Sequence, residues 1–208
     1  MKKWGGRVFV AAVALLALAV GATLALRHYV PSVSSPADAS ALFALTFTDA
    51  HDQPQAMAQW QGDTLVVNFW ATWCAPCIEE MPDLQKVQAE YLSRGVKVVG
   101  LAIDNKAAVK RFAEEMKLQF PLLLAGATGS ELIRQLGNPS GAMPFTLLID
   151  QRGRIVRSKL GRLRAIELRA WLDEELKGLD QTKRHVATRA GQPDRKSGNS
   201  SPSLVFSP

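Results

Sequence analysis

Eleven residues, Asn68 to Ile78, contain the only two cysteines of the chain, Cys74 and Cys77, at C-x-x-C spacing. Just before them runs Thr64-Leu65-Val66-Val67-Asn68-Phe69-Trp70, an apolar, β-branched stretch that reads as a buried strand. Just after comes Ile78 to Val87, which reads as a helix. The pair therefore falls where a central strand hands over to a helix N-terminus. Unpaired backbone N–H groups and a partial positive charge at that place favour a thiolate over a thiol. A C-x-x-C cysteine there titrates between ~3.5 and ~7.5 instead of ~8.5. The second cysteine lies one turn along on the same face, close enough to form a disulfide. Closing so small a ring gains little loop entropy, so structural stapling explains the pair poorly and reversible dithiol–disulfide exchange explains it better. Zinc is the rival reading. It needs about four ligands, and this chain has no second cysteine pair, while His28, His51 and His185 are scattered without ligand spacing.

The formal charge of +6 invites a nucleic-acid reading, but its location argues against one. Residues 1–30 carry Lys2, Lys3, Arg7 and Arg27 and no acid, and residues 178–208 carry a net +3. The segment between is left at −1, with no basic patch interleaved with aromatics. No nucleic-acid partner is expected. The N-terminal charge flanks an apolar run, Val8 to Leu26, of 19 residues without a charge. As a helix it would be ~28 Å long, close to the ~30 Å of a bilayer core. The basic start favours the N-terminus inside and the rest outside. A cleaved signal peptide is the alternative. The run exceeds a signal peptide's ~7–15 apolar residues, and Ala37-Asp38-Ala39 lies far from it. The segment reads as an uncleaved anchor, with the following domain facing the periplasm of a bacterium. Disulfides persist in that compartment.

The chain then divides into an anchor over 1–30, a tether over 31–39, a folded domain over 40–177 and a polar tail over 178–208 that reads as disordered. Within the domain, Leu42 to Phe47 reads as a strand and Asp49 to Pro54 as a turn. The helix after Cys77 runs to about Ser93, with Pro82 inside it. Val96 to Ile103 is a second buried strand. Asn105 caps a helix over Lys106–Leu118 whose buried stripe is Val109, Phe112 and Met116. A short strand follows over Phe120–Leu124 and a short helix over Ser130–Leu136, stopped at Gly137. A strand entered through Pro144 leads to a hairpin at Gln151–Arg154, an edge strand to Leu160 and a final helix over Ala165–Lys177. That order implies an α/β fold, a mixed sheet with helices on both faces.

The block V-V-N-F-W-A-T-W-C-A-P-C-I-E-E-M-P-D-L, with A-M-P-F-T-L-L-I-D-Q-R-G-R-I-V downstream, resembles the thioredoxin superfamily. More narrowly, it resembles its membrane-anchored, TlpA/ResA-like thiol–disulfide oxidoreductases. The resemblance covers about residues 40–177. It implies a thioredoxin fold with an N-terminal strand extension and an inserted strand–helix unit near 96–118. It also implies an enzyme whose Cys74 attacks, whose Cys77 resolves the mixed disulfide, and whose Trp73 shields the motif. Pro144 would be a cis-proline beside the redox-active pair, and the backbone of Met143 would pair with an extended substrate segment. Glu80 would exchange the resolving thiol's proton. Thioredoxin carries an aspartate where this chain has Asn68, which cannot take that proton. Met143 also departs from the smaller or β-branched residue usual in thioredoxin-like chains. The partners implied are protein disulfides, such as apocytochrome c or copper-site proteins, and a membrane thiol electron donor. No metal or cofactor is expected. A thioredoxin-like copper carrier would want a downstream histidine, absent from residues 60–177. A peroxiredoxin-like peroxidase would use a lone cysteine.

Overall fold

The computed structural model describes residues 38–190. One sheet of seven strands organises them, in the order β2-β1-β5-β4-β3-β6-β7. The strands are β1 (Thr46–Asp49), β2 (Pro54–Ala56), β3 (Thr64–Trp70), β4 (Val96–Ala102), β5 (Leu122–Leu124), β6 (Phe145–Ile149) and β7 (Ile155–Leu160). The helices are α1 (Ser40–Phe43), α2 (Ala75–Tyr91), α3 (Lys106–Met116), α4 (Gly129–Gln135) and α5 (Ala165–Ala190). β3 pairs in parallel with β4 and antiparallel with β6, and every one of its residues is buried. A strand enclosed on both faces has to be apolar nearly throughout, as Thr64–Trp70 is.

Side chains alternate across the sheet with the period of two. Leu65, Val67 and Phe69 join α1 and α4 through Leu42, Leu132 and Ile133. Val66 and Trp70 face the other way, into a core with Met81, Leu84 and Val87 of α2, Val109 of α3 and Leu168 and Leu172 of α5. Asn68 lies between Val66 and Trp70 on that second face. Thr146 shares it, because its neighbours Phe145 and Leu147 belong to the first core and Leu148 to the second. The thioredoxin-like α/β fold, with helices on both faces of a mixed sheet, is as the sequence implies.

Several details differ from the sequence reading. Leu42 to Phe47 is not one strand. Ser40–Phe43 is helical, with Leu42 and Phe43 buried, and the strand begins at Thr46. A short apolar run carries no period to separate strand from helix. Here the carboxylate of Asp38 accepts the Ser40 N–H at 2.9 Å and starts the turn. The tether's last residues belong to the domain, since Asp38 bridges Arg154 and the Ala39 N–H donates to the Gly153 carbonyl at 2.9 Å. In α3, Val109 is buried but Met116 is 36% exposed. Lys117 turns left-handed at φ 51°, and Leu118 packs on the core in its place. The final helix does not stop at Lys177 but continues to Ala190, so residues 178–190 are not disordered. Extending an existing helix costs far less than starting one, and Leu179 still reaches the core. The anchor over 1–30 and the tail beyond Ala190 lie outside the described residues.

The Asn105 side chain accepts the Ala108 N–H at 3.0 Å, as the sequence predicts. Asn105→Ala is expected to cost about 1 kcal/mol. Leu84→Ala, which opens a cavity at a residue with no exposure, is expected to cost about 3 kcal/mol. Urea unfolding of both variants checks the ratio.

Candidate active site

β3 ends at Trp70, and the chain turns at once. The Cys74 N–H donates to the Ala71 carbonyl at 3.2 Å, closing a four-residue turn. Cys74 then stands at the N-cap of α2, with φ −96° and ψ 98°, and Pro76 occupies the first turn where its missing N–H costs nothing. The Cys74 carbonyl accepts from Cys77 N–H at 3.0 Å and Ile78 N–H at 3.1 Å. The two cysteines are joined, with an S–S distance of 2.00 Å and Cα atoms 5.2 Å apart. Their burial is unequal, Cys74 being 7% exposed and Cys77 wholly buried. Trp73, just before the pair, is 70% exposed.

The Met143–Pro144 peptide bond is cis. Phe145 of β6 pairs with Phe69 of β3, so Pro144 comes level with Trp70, where the cysteine turn begins. Met143 packs against both cores, at the end of the sheet between them. The Pro144 carbonyl accepts the Gly161 N–H at 2.8 Å, which ties the cis bond to the end of β7.

Glu80 is three residues beyond Cys77, on the same side of α2. It has no solvent exposure. Its Oε1 accepts from Asn68 Nδ2 at 2.7 Å and its Oε2 from the Leu163 N–H at 2.7 Å. Burial pushes its carboxyl up to about 7, against the opposing pull of those two bonds. Asn68 Nδ2 also donates to Thr146 Oγ1 at 3.0 Å. Glu79 points outward and pairs with Arg162 at 2.6 Å.

The structure thus gathers five of the sequence-predicted residues at one end of β3: Cys74, Cys77, Glu80, Met143 and Pro144. Trp73 stands exposed beside them. The sequence reading missed Thr146 and the Leu163 amide. A signal for Thr146 was present, because a lone polar residue in an apolar central strand needs a buried partner. The same applies to Asn68. Among the described residues no cluster of three or more His, Cys, Asp or Glu could hold a metal ion.

The arrangement suits transfer of electrons between sulfur atoms, and relatives are named for that chemistry. The Redoxin family matches residues 29–169. The thiol–disulfide oxidoreductase ResA of Bacillus cereus is 30% identical over 129 residues, covering 61% of this chain and 72% of the relative. ResA of Geobacillus thermodenitrificans is 25% identical over 174 residues, covering 83% and 98%. Among solved structures, a thioredoxin-family thiol:disulfide interchange protein from Chlorobium tepidum superposes with a TM-score of 0.59 at 27% identity, over 70% of this chain and 99% of that one. StoA from Bacillus subtilis gives 0.51 at 25% identity, over 62% and 95%. The chain belongs to the redoxin family, as a ResA-like thiol–disulfide oxidoreductase with a thioredoxin-like fold.

Proposed function

We propose that this oxidoreductase is a membrane-anchored reductant of protein disulfides in the periplasm, working through Cys74 and Cys77. The observation that carries the reading is the unequal burial of the pair. An incoming disulfide meets the sulfur of Cys74 and not that of Cys77. The Cys74 thiolate attacks one sulfur of the substrate disulfide, that S–S bond breaks, and a substrate thiolate leaves. Cys77, giving its proton to Glu80, then attacks the Cys74 sulfur. The mixed disulfide breaks, the second substrate thiolate leaves, and the Cys74–Cys77 bond forms. Two electrons have passed to the substrate.

Docking falls to the cis-proline end of β6. Among the described residues neither the N–H nor the C=O of Met143 has a hydrogen-bond partner. An extended segment pairs there as an added strand, with the exposed Trp73 as an apolar contact beside it. The run Val8–Leu26 and its basic flank support the anchor and the outward-facing domain. The likeness to ResA favours substrates of the apocytochrome c or copper-site type, with electrons supplied by a membrane thiol donor.

Insulin reduction tests the reading. The parent is expected to be active, Cys74→Ser inactive, and Cys77→Ser to accumulate a mixed disulfide. Parent activity in the doubly substituted protein would overturn the assignment. A glutathione-equilibrium potential below the range of about −220 to −260 mV marks a reductant, whereas one near about −120 mV would mark a disulfide donor.

The place of Glu80 has a thermodynamic signature. Its folded pKa lies above the unfolded value, so the folded state binds the proton more tightly. The stabilising contribution of Glu80 is then fully present below about pH 4.5, is lost as pH rises toward 7 and levels off beyond. The whole drop is on the order of 3 kcal/mol. Glu80→Gln is expected to flatten that segment of the urea-stability profile and to slow the resolving step near neutrality.

A further inference from the structure

Asp104 follows β4 by two residues, where the inserted strand–helix unit crosses behind the cysteine turn. Its Oδ2 accepts both the N–H and the hydroxyl of Thr72, at 2.9 and 2.5 Å. Its Oδ1 accepts the N–H and side-chain amide of Asn105, at 2.7 and 3.1 Å. Thr72 is a central residue of the turn that Cys74 closes onto Ala71. Asn105 is the cap of α3. One half-buried carboxylate thus joins the nucleophile's turn to the inserted helix.

All four of its partners are uncharged. The cations that act on the neighbouring Glu80 are occupied elsewhere: Arg162 pairs with Glu79, and Lys159 pairs with Glu167. Lys106, two residues from Asp104, reaches away to Asp52 at 2.7 Å. Of the acids on α2, Asp83 accepts the Ala165 N–H at 3.3 Å and Glu90 pairs with Arg169 at 2.7 Å. Glu79 is neutralised by Arg162, and Glu80 is buried with its carboxyl raised. The bonds from Thr72 and Asn105 outweigh burial and hold Asp104 below the usual carboxylate range, so it is ionised wherever the thiol titrates.

We propose that Asp104 is a positioning residue for the Cys74 turn and that its charge, paired with no cation among the described residues, opposes the Cys74 thiolate, biasing the pair toward a reductant. The inference rests on Cys74 being the attacking sulfur. The start of α2 favours the thiolate, and the Asp104 carboxylate works against it. A less stabilised thiolate means a less stabilised dithiol form and a lower reduction potential.

Asp104→Asn keeps an oxygen acceptor for Thr72 and removes the charge. Thr72→Val removes the hydroxyl bond and keeps the charge. The far-ultraviolet thiolate absorbance of the full-length reduced protein is titrated, alongside its glutathione equilibrium above the thiolate midpoint. Asp104→Asn is expected to lower the Cys74 titration by about 0.5 pH unit, threefold in the thiol–thiolate equilibrium. The matching rise in potential is ~15 mV, at ~30 mV per tenfold change. Thr72→Val is expected to melt earlier and leave the titration in place. Titrations that are unmoved in both variants, or moved alike, overturn the proposal. If Asp104→Asn does not fold, Asp104→Ser supplies the neutral side chain, and failure of both to fold leaves Asp104 a structural residue only and overturns the proposal too. These readouts need no substrate. A parent that fails to reduce insulin therefore counts against the proposed function, and an unmoved titration counts against the charge effect alone.

Discussion

β3 is hydrogen-bonded on both edges and covered on both faces, and the chemistry of the molecule depends on where it ends. A strand held so completely cannot slide, since a shift of one residue would send Asn68 to the opposite core. Its last residue therefore fixes the turn, the turn fixes Cys74 at the start of α2, and the helix fixes Cys77 and Glu80 by its own repeat. The cis-proline reaches the same place from the other side through the β3–β6 register. Backbone pairing thus brings those residues to one place.

Burial then separates groups that would be alike in water. One cysteine keeps a little solvent exposure and the other has none. One glutamate, Glu79, sits in solvent with an arginine, while the next, Glu80, lies among neutral donors and takes a proton near pH 7. Asn68 is central to that difference. An amide gives Glu80 a donor without a second negative charge, so the buried carboxyl titrates singly and not as a coupled pair.

Much of this was legible in the sequence. The nearly all-apolar run before W-C-A-P-C located the central strand, and the spacing of the cysteines located the helix start. The cap at Asn105 and the hairpin at Gln151–Arg154 follow from local chemistry, and local chemistry is what a sequence displays. What stayed hidden depends on distant pairing. Asn68 and Thr146 are 78 positions apart, and Thr72 and Asp104 are 32 apart. Each looks like an isolated polar residue until the strands are aligned. The end of α5 was misread for a different reason. Gly178 and its polar followers have weak preferences, and a helix already anchored by Leu168, Leu172 and Leu176 carries such residues along.

The wholly buried sulfur of Cys77 has one more consequence. Small thiols in the surrounding medium, however abundant, have no direct line to it. In the proposed cycle they would enter only by way of Cys74. The thiol that would resolve the mixed disulfide in that cycle is therefore shielded from the redox buffer, and its surroundings are those the protein provides.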